Sequence, residues 1–291
     1  VNPLGRVRLL LTVLLGLLFL ASGCVMLTPD PNVSPLSRPR TPSPLSASAP
    51  ATAAPASASQ GSPGSLLWQA DMETGDLSQW LAGQGEAVFT TGTGWVTVTD
   101  QVAHCGRYAL ALGIQGAAGK LQAARIFRWQ ENPAEAYYSA WLLFPERYQT
   151  SLWWNVFQFK SKAESSQPMW VLNVGNRSNG DLVFYLWDAI RQETHHHQLT
   201  GERLSVPVGQ WVHVEAFYRR AQDNSGRIAI WQDGVKIFDI DGVQTAIAEN
   251  VHWSLDNYTD RITPDDPVIY ADDAAISLER LGPEWKAGCG R

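Results

Sequence analysis

Residues 211–220 alternate between two kinds of side chain. Val212, Val214, Ala216 and Tyr218 point one way; Trp211, His213, Glu215, Phe217 and Arg219 point the other. Successive side chains of a strand face opposite sides, so the segment predicts a strand with two different neighbours. Asp223-Asn224-Ser225-Gly226 supplies a turn, 227–232 returns, Asp233-Gly234 makes a tight hairpin, and 235–240 goes out again. Asp-Gly between apolar runs is a strong hairpin signal, because both central residues need positive φ. Strand-like runs recur at 87–91, 95–99, 108–113, 123–129, 136–144, 153–160, 169–174, 182–187, 251–258 and 268–278, with Gly, Pro, Asn and Asp between them. No run reads as amphipathic helix. Many short strands at this spacing predict an all-β fold, a two-sheet jelly-roll sandwich that leaves one concave face for an extended ligand.

The same period sorts the polar residues. Phe157 and Phe159 alternate with Gln158 and Lys160, so burying the two Phe turns the polar pair outward. Burying Val212, Val214 and Ala216 turns Trp211, His213 and Glu215 outward in the same sense. The expectation is that both polar sets line one ligand-facing surface, provided the two strands share a sheet. The plainer alternative is an ordinary solvated sheet face. All thirteen Trp fall after residue 65. Aromatic rings stack on sugar rings and also fill sandwich cores. Trp170, between Met169 and Val171, reads as core; Trp154, Trp187, Trp211 and Trp253 are the groove candidates.

Composition divides the chain. Arg6 and Arg8 precede an apolar run, 9–20, that ends in Leu20-Ala21-Ser22-Gly23-Cys24. A basic start, a short apolar core and a small-residue exit predict a secretory signal, too short to span a membrane. The exit looks like a bacterial lipobox, with Ala21 where Leu is commoner, which implies that Cys24 is acylated. An uncleaved signal anchor is the alternative. Val1 in place of Met suggests a non-AUG start. Residues 25–64 are Pro, Ser, Ala and Thr with almost no charge, a composition that cannot bury a core. As a flexible tether they span on the order of 35 Å. The expected layout is therefore signal 1–24, disordered linker 25–64 and folded domain 65–291, held outside the cytoplasm on a bacterial membrane by lipid alone.

The folded part carries 18 Lys and Arg against 27 Asp and Glu. An acidic domain lacks the basic footprint that general nucleic-acid binding needs. No Gly-rich phosphate loop, CxxC pair or HExxH is present. Cys105 and Cys289 remain after cleavage, and in an oxidising compartment they pair or stay as two buried thiols. His195-His196-His197 reads as a polar loop, since adjacent strand residues cannot all face one ion. The Asn-x-Ser/Thr sites at Asn32 and Asn257 carry no weight in a bacterial protein.

Several segments in order carry a resemblance. They are residues 70–80 (ADMETGDLSQW), Ala124-Arg125-Ile126-Phe127-Arg128, YYSAWLLFP at 137–145, WNVFQFK at 154–160, the Trp211 hairpins and YADDAAI at 270–276. Together they resemble heparin-lyase-like and alginate-lyase-like polysaccharide lyases, which share the concanavalin A-like jelly roll, across nearly all of 66–281. The resemblance implies β-elimination. A base takes the proton α to a uronate carboxylate, an acid protonates the leaving glycosidic oxygen, and Arg, Gln, Asn or His neutralises the carboxylate. Arg125 or Arg128 corresponds to the family's arginine strand, Gln158-Phe159-Lys160 to its Gln-x-His strand, and Tyr258 to its late tyrosine. Lys160 stands where the family has His. An ordinary Lys is protonated at neutral pH and cannot act as a base without a large downward shift. Lys160 then neutralises the carboxylate, with Tyr258 as base and acid, or marks a groove that binds without cutting. His213 and His252 are the candidates to replace the missing His. The resemblance also implies that Asp71, Glu73, Asp272 and Asp273 hold a structural calcium ion where the termini meet; a solvated acidic edge is the alternative. No catalytic cofactor is implied.

Two functions follow. One is an anchored lyase acting on an acidic, uronate-containing polysaccharide, using Arg125, Arg128, Gln158, Lys160, His213 and Tyr258, with Trp154, Trp187, Trp211, Glu215 and Trp253 against the sugars. The other is a lectin-like surface lipoprotein that holds glycan without cleaving it. A monomer is the expected state.

Overall fold

The computed structural model describes residues 65–80, 87–116, 121–129, 132–196, 199, 203–287 and 289. Cys24, the expected signal and linker segments and His197 lie outside the described residues. Within them the regular elements are strands, numbered β1–β17 in chain order, and no helix is long and apolar enough to cross a membrane.

Two antiparallel sheets face each other. The first runs β14 (Val235–Val243), β13 (Gly226–Gln232), β12 (Trp211–Arg219), β6 (Glu135–Leu143), β17 (Val268–Ser277), β4 (Ala109–Gly113), β3 (Trp95–Thr99), with β1 (Leu66–Ala70) also paired to β17. The second runs β11 (Glu193–His196), β10 (Leu182–Asp188), β9 (Ser166–Asn176), β8 (Trp154–Lys162), β15 (Asn250–Thr259), β5 (Gln122–Arg128), β2 (Val88–Thr91). β7 (Gln149–Thr150) and β16 (Ile262–Thr263) form a small ribbon. This is the jelly-roll sandwich that the alternation predicts. At the β13–β14 hairpin Asp233 and Gly234 take φ of 48° and 79°, the left-handed pair that the tight turn requires.

One core fills the space between the sheets. Val212, Val214, Ala216 and Tyr218 enter it from β12, and Trp154, Val156, Phe157 and Phe159 from β8. Trp80, Trp154, Trp170 and Trp253 are among its largest fully buried side chains. Asn257 of β15 sits inside it as a bridge. Its side-chain oxygen accepts from Trp154 Nε1 (2.9 Å), and its Nδ2 donates to the Leu112 and Pro267 carbonyls at 2.9 Å each. Every polar end of that buried amide is thus satisfied, as burial demands.

The expected common surface does not exist. β12 and β8 lie in opposite sheets, and both bury their apolar faces in the same core. Their polar faces therefore leave on opposite sides of the sandwich. Alternation sets the two faces of a strand but not the sheet it joins. The expected loop at His195 and His196 is instead the edge strand β11. It is an edge strand of polar residues, which blunts edge-to-edge pairing.

The C-terminal tail straps the outer face of the first sheet. Glu215, fully buried, accepts from Arg280 Nε (2.8 Å), Leu281 N (2.7 Å) and Gly282 N (3.1 Å). Asp273 accepts from Ala287 N at 3.0 Å. Cys105 and Cys289 are joined as a disulfide, their Cα atoms 5.0 Å apart. His213 lies beneath, 1% exposed, with its ring 5.1 Å from Trp141. Burial, then Arg280 and His104, push its pKa down to about 3, so it is neutral at physiological pH.

Candidate active site

The outer face of the second sheet carries a cavity of about 440 Å³, whose lining includes Asn155, Gln158, Asn173, Tyr185, Trp187 and Tyr258. Period 2 delivers most of them. Ser254, Asp256 and Tyr258 alternate outward from β15 against the buried Trp253 and Leu255, and Tyr185 and Trp187 alternate against Phe184 and Leu186. Asn155 arrives differently. The register of β8 shifts between Asn155 and Phe157. Val156 and Phe157 both enter the core, and Asn155 turns out to the cavity. Such a bulge re-aims a side chain that strict alternation would bury.

Arg125 organises the floor. Its side chain is 5% exposed and that of Asp256 0%. Arg125 Nε donates to Asp256 Oδ1 at 2.7 Å, and Nη2 to Ser254 Oγ and Asp256 Oδ2 at 3.4 Å each. Ser254 Oγ donates in turn to Asp256 Oδ2 (3.1 Å). The guanidinium also packs 4.6 Å from the Phe127 ring centre and 5.2 Å from that of Tyr258. Nη2 makes a further bond to Gln158 Oε1. That bond fixes the amide: the oxygen is taken by Arg125, so the NH₂ end is the one left for the cavity.

Lys160 stands next along β8, half-buried, its Nζ 5.9 Å from the Phe127 ring centre. Burial first, then the Arg125 charge, lower its pKa, against an opposing pull from Asp256. Tyr258 rests edge-on against Trp153, ring centres 4.8 Å apart. Burial raises its pKa, Arg125 opposes, and Asp256 and Asp260 add to the rise. The two groups are therefore pushed apart, the amine toward its neutral form and the phenol toward its protonated form, the pattern that separates a base from an acid. The side-chain oxygen of Asn155 is buried without a hydrogen-bond partner among the described residues. As an acceptor in the cavity wall it is open to a hydrogen-bond donor, whether water or a ligand group. Tyr185, held protonated by burial with its pKa near 12, lies over Gly175, where a Cβ would meet its ring at 3.3 Å.

The other candidates fall elsewhere. Arg128 is three residues from Arg125, so it faces the opposite side of β5, over Trp68 at 5.1 Å. His213, Trp211 and Glu215 belong to the first sheet and serve the strapped tail; Trp211 packs edge-on to His104 at 5.7 Å. Trp154 and Trp253 are core residues, the latter against Trp68, Trp80 and Tyr138. Asn155 beside Trp154 and Ser254 beside Trp253 take the outward positions, which leaves the two large rings to the core. Of the four tryptophans expected in the groove, Trp187 alone lines the cavity. His252 is opposite Lys160, edge-on to Trp129 at 4.9 Å, and burial, then Lys162, lower its pKa to about 4. Asn155, Asn173, Tyr185 and Asp256 were not singled out from the sequence. Asp256 and Tyr185 sit on readable alternations, whereas Asn155 depends on the bulge.

Three of the four acidic residues, Glu73, Asp272 and Asp273, bond the loop at 104–108. Glu73 Oε1 accepts from Arg107 N and Tyr108 N, 2.9 Å each; Asp272 Oδ2 accepts from His104 N (2.9 Å) and Cys105 N (3.3 Å). Asp273 Oδ2 meets His104 Nδ1 at 2.7 Å, and Asp71 Oδ1 accepts from Gln79 Nε2 at 2.7 Å. Asp71, Asp272 and Asp273 are buried, and burial, then Asp273, raise the Asp272 pKa to about 8. An oxygen-only donor set suits a hard cation such as calcium. Cys105 also lies close to His104 and Asp273 but its sulfur is spent in the disulfide.

Comparisons with known proteins bear on the fold and the family. Among solved structures, an endo-β-1,4-glucuronan lyase from the fungus Trichoderma reesei matches with a TM-score of 0.53 and 18% identity, covering 69% of this chain and 94% of that one. The likeness is one of fold. A cellulose-induced protein matches at 0.49 and 15% identity, over 76% of this chain and 99% of that one. An alginate lyase from Aplysia kurodai matches at 0.45 and 10%, over 74% and 99%. No curated protein sequence matches the chain. A polysaccharide lyase family model matches residues 72–275, which include Arg125, Gln158, Lys160 and Tyr258. The chain belongs to the polysaccharide lyase family.

Proposed function

We propose that the chain cleaves a uronate-containing polysaccharide by β-elimination in the cavity of the second sheet. The observation that carries this reading is the Arg125–Gln158 bond, which leaves an amide NH₂ facing a cavity bordered by Tyr258 and by Asn155, whose side-chain oxygen has no partner among the described residues. Two amides there can donate to a sugar carboxylate and make its α-proton more acidic. The amide of Asn155 can present either end, because its orientation follows its partners. Lys160 takes the α-proton. The freed electron pair forms the carbon–carbon double bond, the bond to the glycosidic oxygen breaks, and that oxygen takes the Tyr258 proton. Lys160 and Tyr258 then exchange protons with water. Arg125 and Asp256 act through Gln158 as positioning residues. Tyr185 and Trp187 offer ring faces to the neighbouring sugars.

The test is direct. The full chain is incubated with polyglucuronate, alginate and a neutral glucan, and ultraviolet absorbance of the unsaturated product is followed. Absorbance should rise with an acidic polymer only. Retention of the polymer with no absorbance would instead make the domain a lectin-like binder.

We also propose that Asp71, Glu73, Asp272 and Asp273 hold a calcium ion that clamps β1, β17 and the 104–108 loop together. Asp272 and Asp273 are adjacent buried carboxylates, and two such charges are costly unless a cation or donors offset them. At a hundredfold excess over its dissociation constant the ion adds about 2.7 kcal/mol, which raises the unfolding midpoint by on the order of 5–10 °C. Identical midpoints in calcium and in chelator would remove the proposal.

A further inference from the structure

The cavity does not end at Tyr185. A second hollow of about 300 Å³ adjoins it, sharing Tyr185 and Thr194 and adding Leu152, Gly175, His196 and Arg203. Among the described residues its lining contains no carboxylate, although the folded part of the chain has 27 acidic against 18 basic residues. Arg203 is exposed and forms no ion pair among the described residues. His196 is beside it, its ring centre 6.2 Å from Tyr185. Burial, then Arg203 and His195, lower the His196 pKa, so at neutral pH it is an uncharged hydrogen-bonding group beside the arginine's fixed charge.

The two hollows are aligned by the sheet. His196, Tyr185, Asn173, Asn155 and Tyr258 are successive cross-strand partners on β11, β10, β9, β8 and β15. They form one row perpendicular to the strands. With strands about 4.8 Å apart, His196 is about 14 Å from Asn155. A polymer laid along that row with one carboxylate at Asn155 and Gln158 passes over Tyr185 and reaches Arg203 a few sugar rings later.

Resting on the lyase reading above, we propose that Arg203 and His196 form a second carboxylate subsite, which holds another uronate of the same polymer away from the bond being cut. Arg203 supplies charge and a forked pair of donors, and His196 one hydrogen bond. The substrate it selects is a chain with several carboxylates, long enough to span both hollows. The subsite binds substrate and transition state alike, so it acts on KM and leaves kcat alone.

The test compares the full chain with Arg203→Ala and Arg203→Lys on polyglucuronate and polymannuronate, and on trisaccharides prepared from each. For the polymer that is cleaved, Arg203→Ala should raise KM about tenfold with kcat unchanged, and KM should depend less on salt. Arg203→Lys should recover most of the loss. On trisaccharides, too short to reach Arg203 from the cutting site, the variants should match the parent. An unchanged KM on the polymer overturns the subsite while the lyase reading stands. If neither polymer is cleaved, the lyase reading fails, and retardation in gels containing the same two polymers decides the subsite. Weaker retardation of Arg203→Ala then supports it; equal retardation, or none for either protein, overturns it.

Discussion

Lys160→Arg should reduce kcat on a uronate polymer by roughly a hundred- to ten-thousand-fold, the usual contribution of a general base. Binding of the polymer should change little. Arg keeps the positive charge and the length of the side chain but does not give up its proton in water. It therefore separates the two roles open to Lys160. A residue that only neutralises the carboxylate would be replaced well by Arg; a base would not. The pH profile adds the sign. Burial and Arg125 lower the Lys160 pKa, so the neutral amine appears below the ordinary lysine range and kcat/KM rises with pH through that value. Burial raises the Tyr258 pKa, so the phenol stays protonated past the ordinary tyrosine value and activity falls only above it. In Tyr258→Phe the alkaline limb should vanish along with most of the rate. A Lys160→Arg variant that retains kcat would return Lys160 to the carboxylate and leave Tyr258 to both proton transfers.

Asp256→Ala should destabilise the domain by about 3–5 kcal/mol, the scale of an ion pair broken in the interior. The Arg125 side chain is 5% exposed and Nε donates to Asp256 at 2.7 Å, so removing the carboxylate leaves a buried charge unbalanced. The denaturation midpoint reads this out. The double variant Arg125→Met with Asp256→Leu should recover most of the stability, because an apolar pair of similar volume carries no desolvation penalty. Its activity should stay low, because Gln158 would have lost the donor that turns its NH₂ outward. Wild-type kcat/KM in the double variant would show that Arg125 and Asp256 stabilise the sheet and do not position Gln158.

The parts of this fold legible in the sequence are those that local geometry decides. The Asp233-Gly234 turn announces its hairpin because few other residue pairs accept two positive φ angles. Gln158 and Lys160 show their outward direction because the bulky Phe157 and Phe159 alternate with them, whereas Tyr258 is flanked by the polar Asn257 and Thr259 and is marked by the family resemblance. Arg125 and Arg128 could have been separated by the same rule, since residues three apart in a strand face opposite ways. What stayed hidden is decided by long-range pairing. Nothing within residues 211–219 says that β12 joins β6 rather than β8, yet that choice sends His213 and Glu215 to the far side of the molecule. Trp154 and Trp253 are equally suited to a groove or a core, and the core takes them because it must be filled to high density. Asn155 is hidden by a single extra residue in β8, and His196 by a strand too short and too polar to carry a pattern.

β1 and β17 pair side by side in the first sheet, and the tail after β17 crosses that sheet's outer surface to Cys289. Both ends of the described chain therefore lie in the layer remote from the cavity. A dye, a resin or a fused protein attached at either end of the described chain is carried behind the sandwich, and the cavity face is left open to polymers too large to diffuse around an obstacle. Immobilised through its termini, the domain would meet a polysaccharide chain face-on.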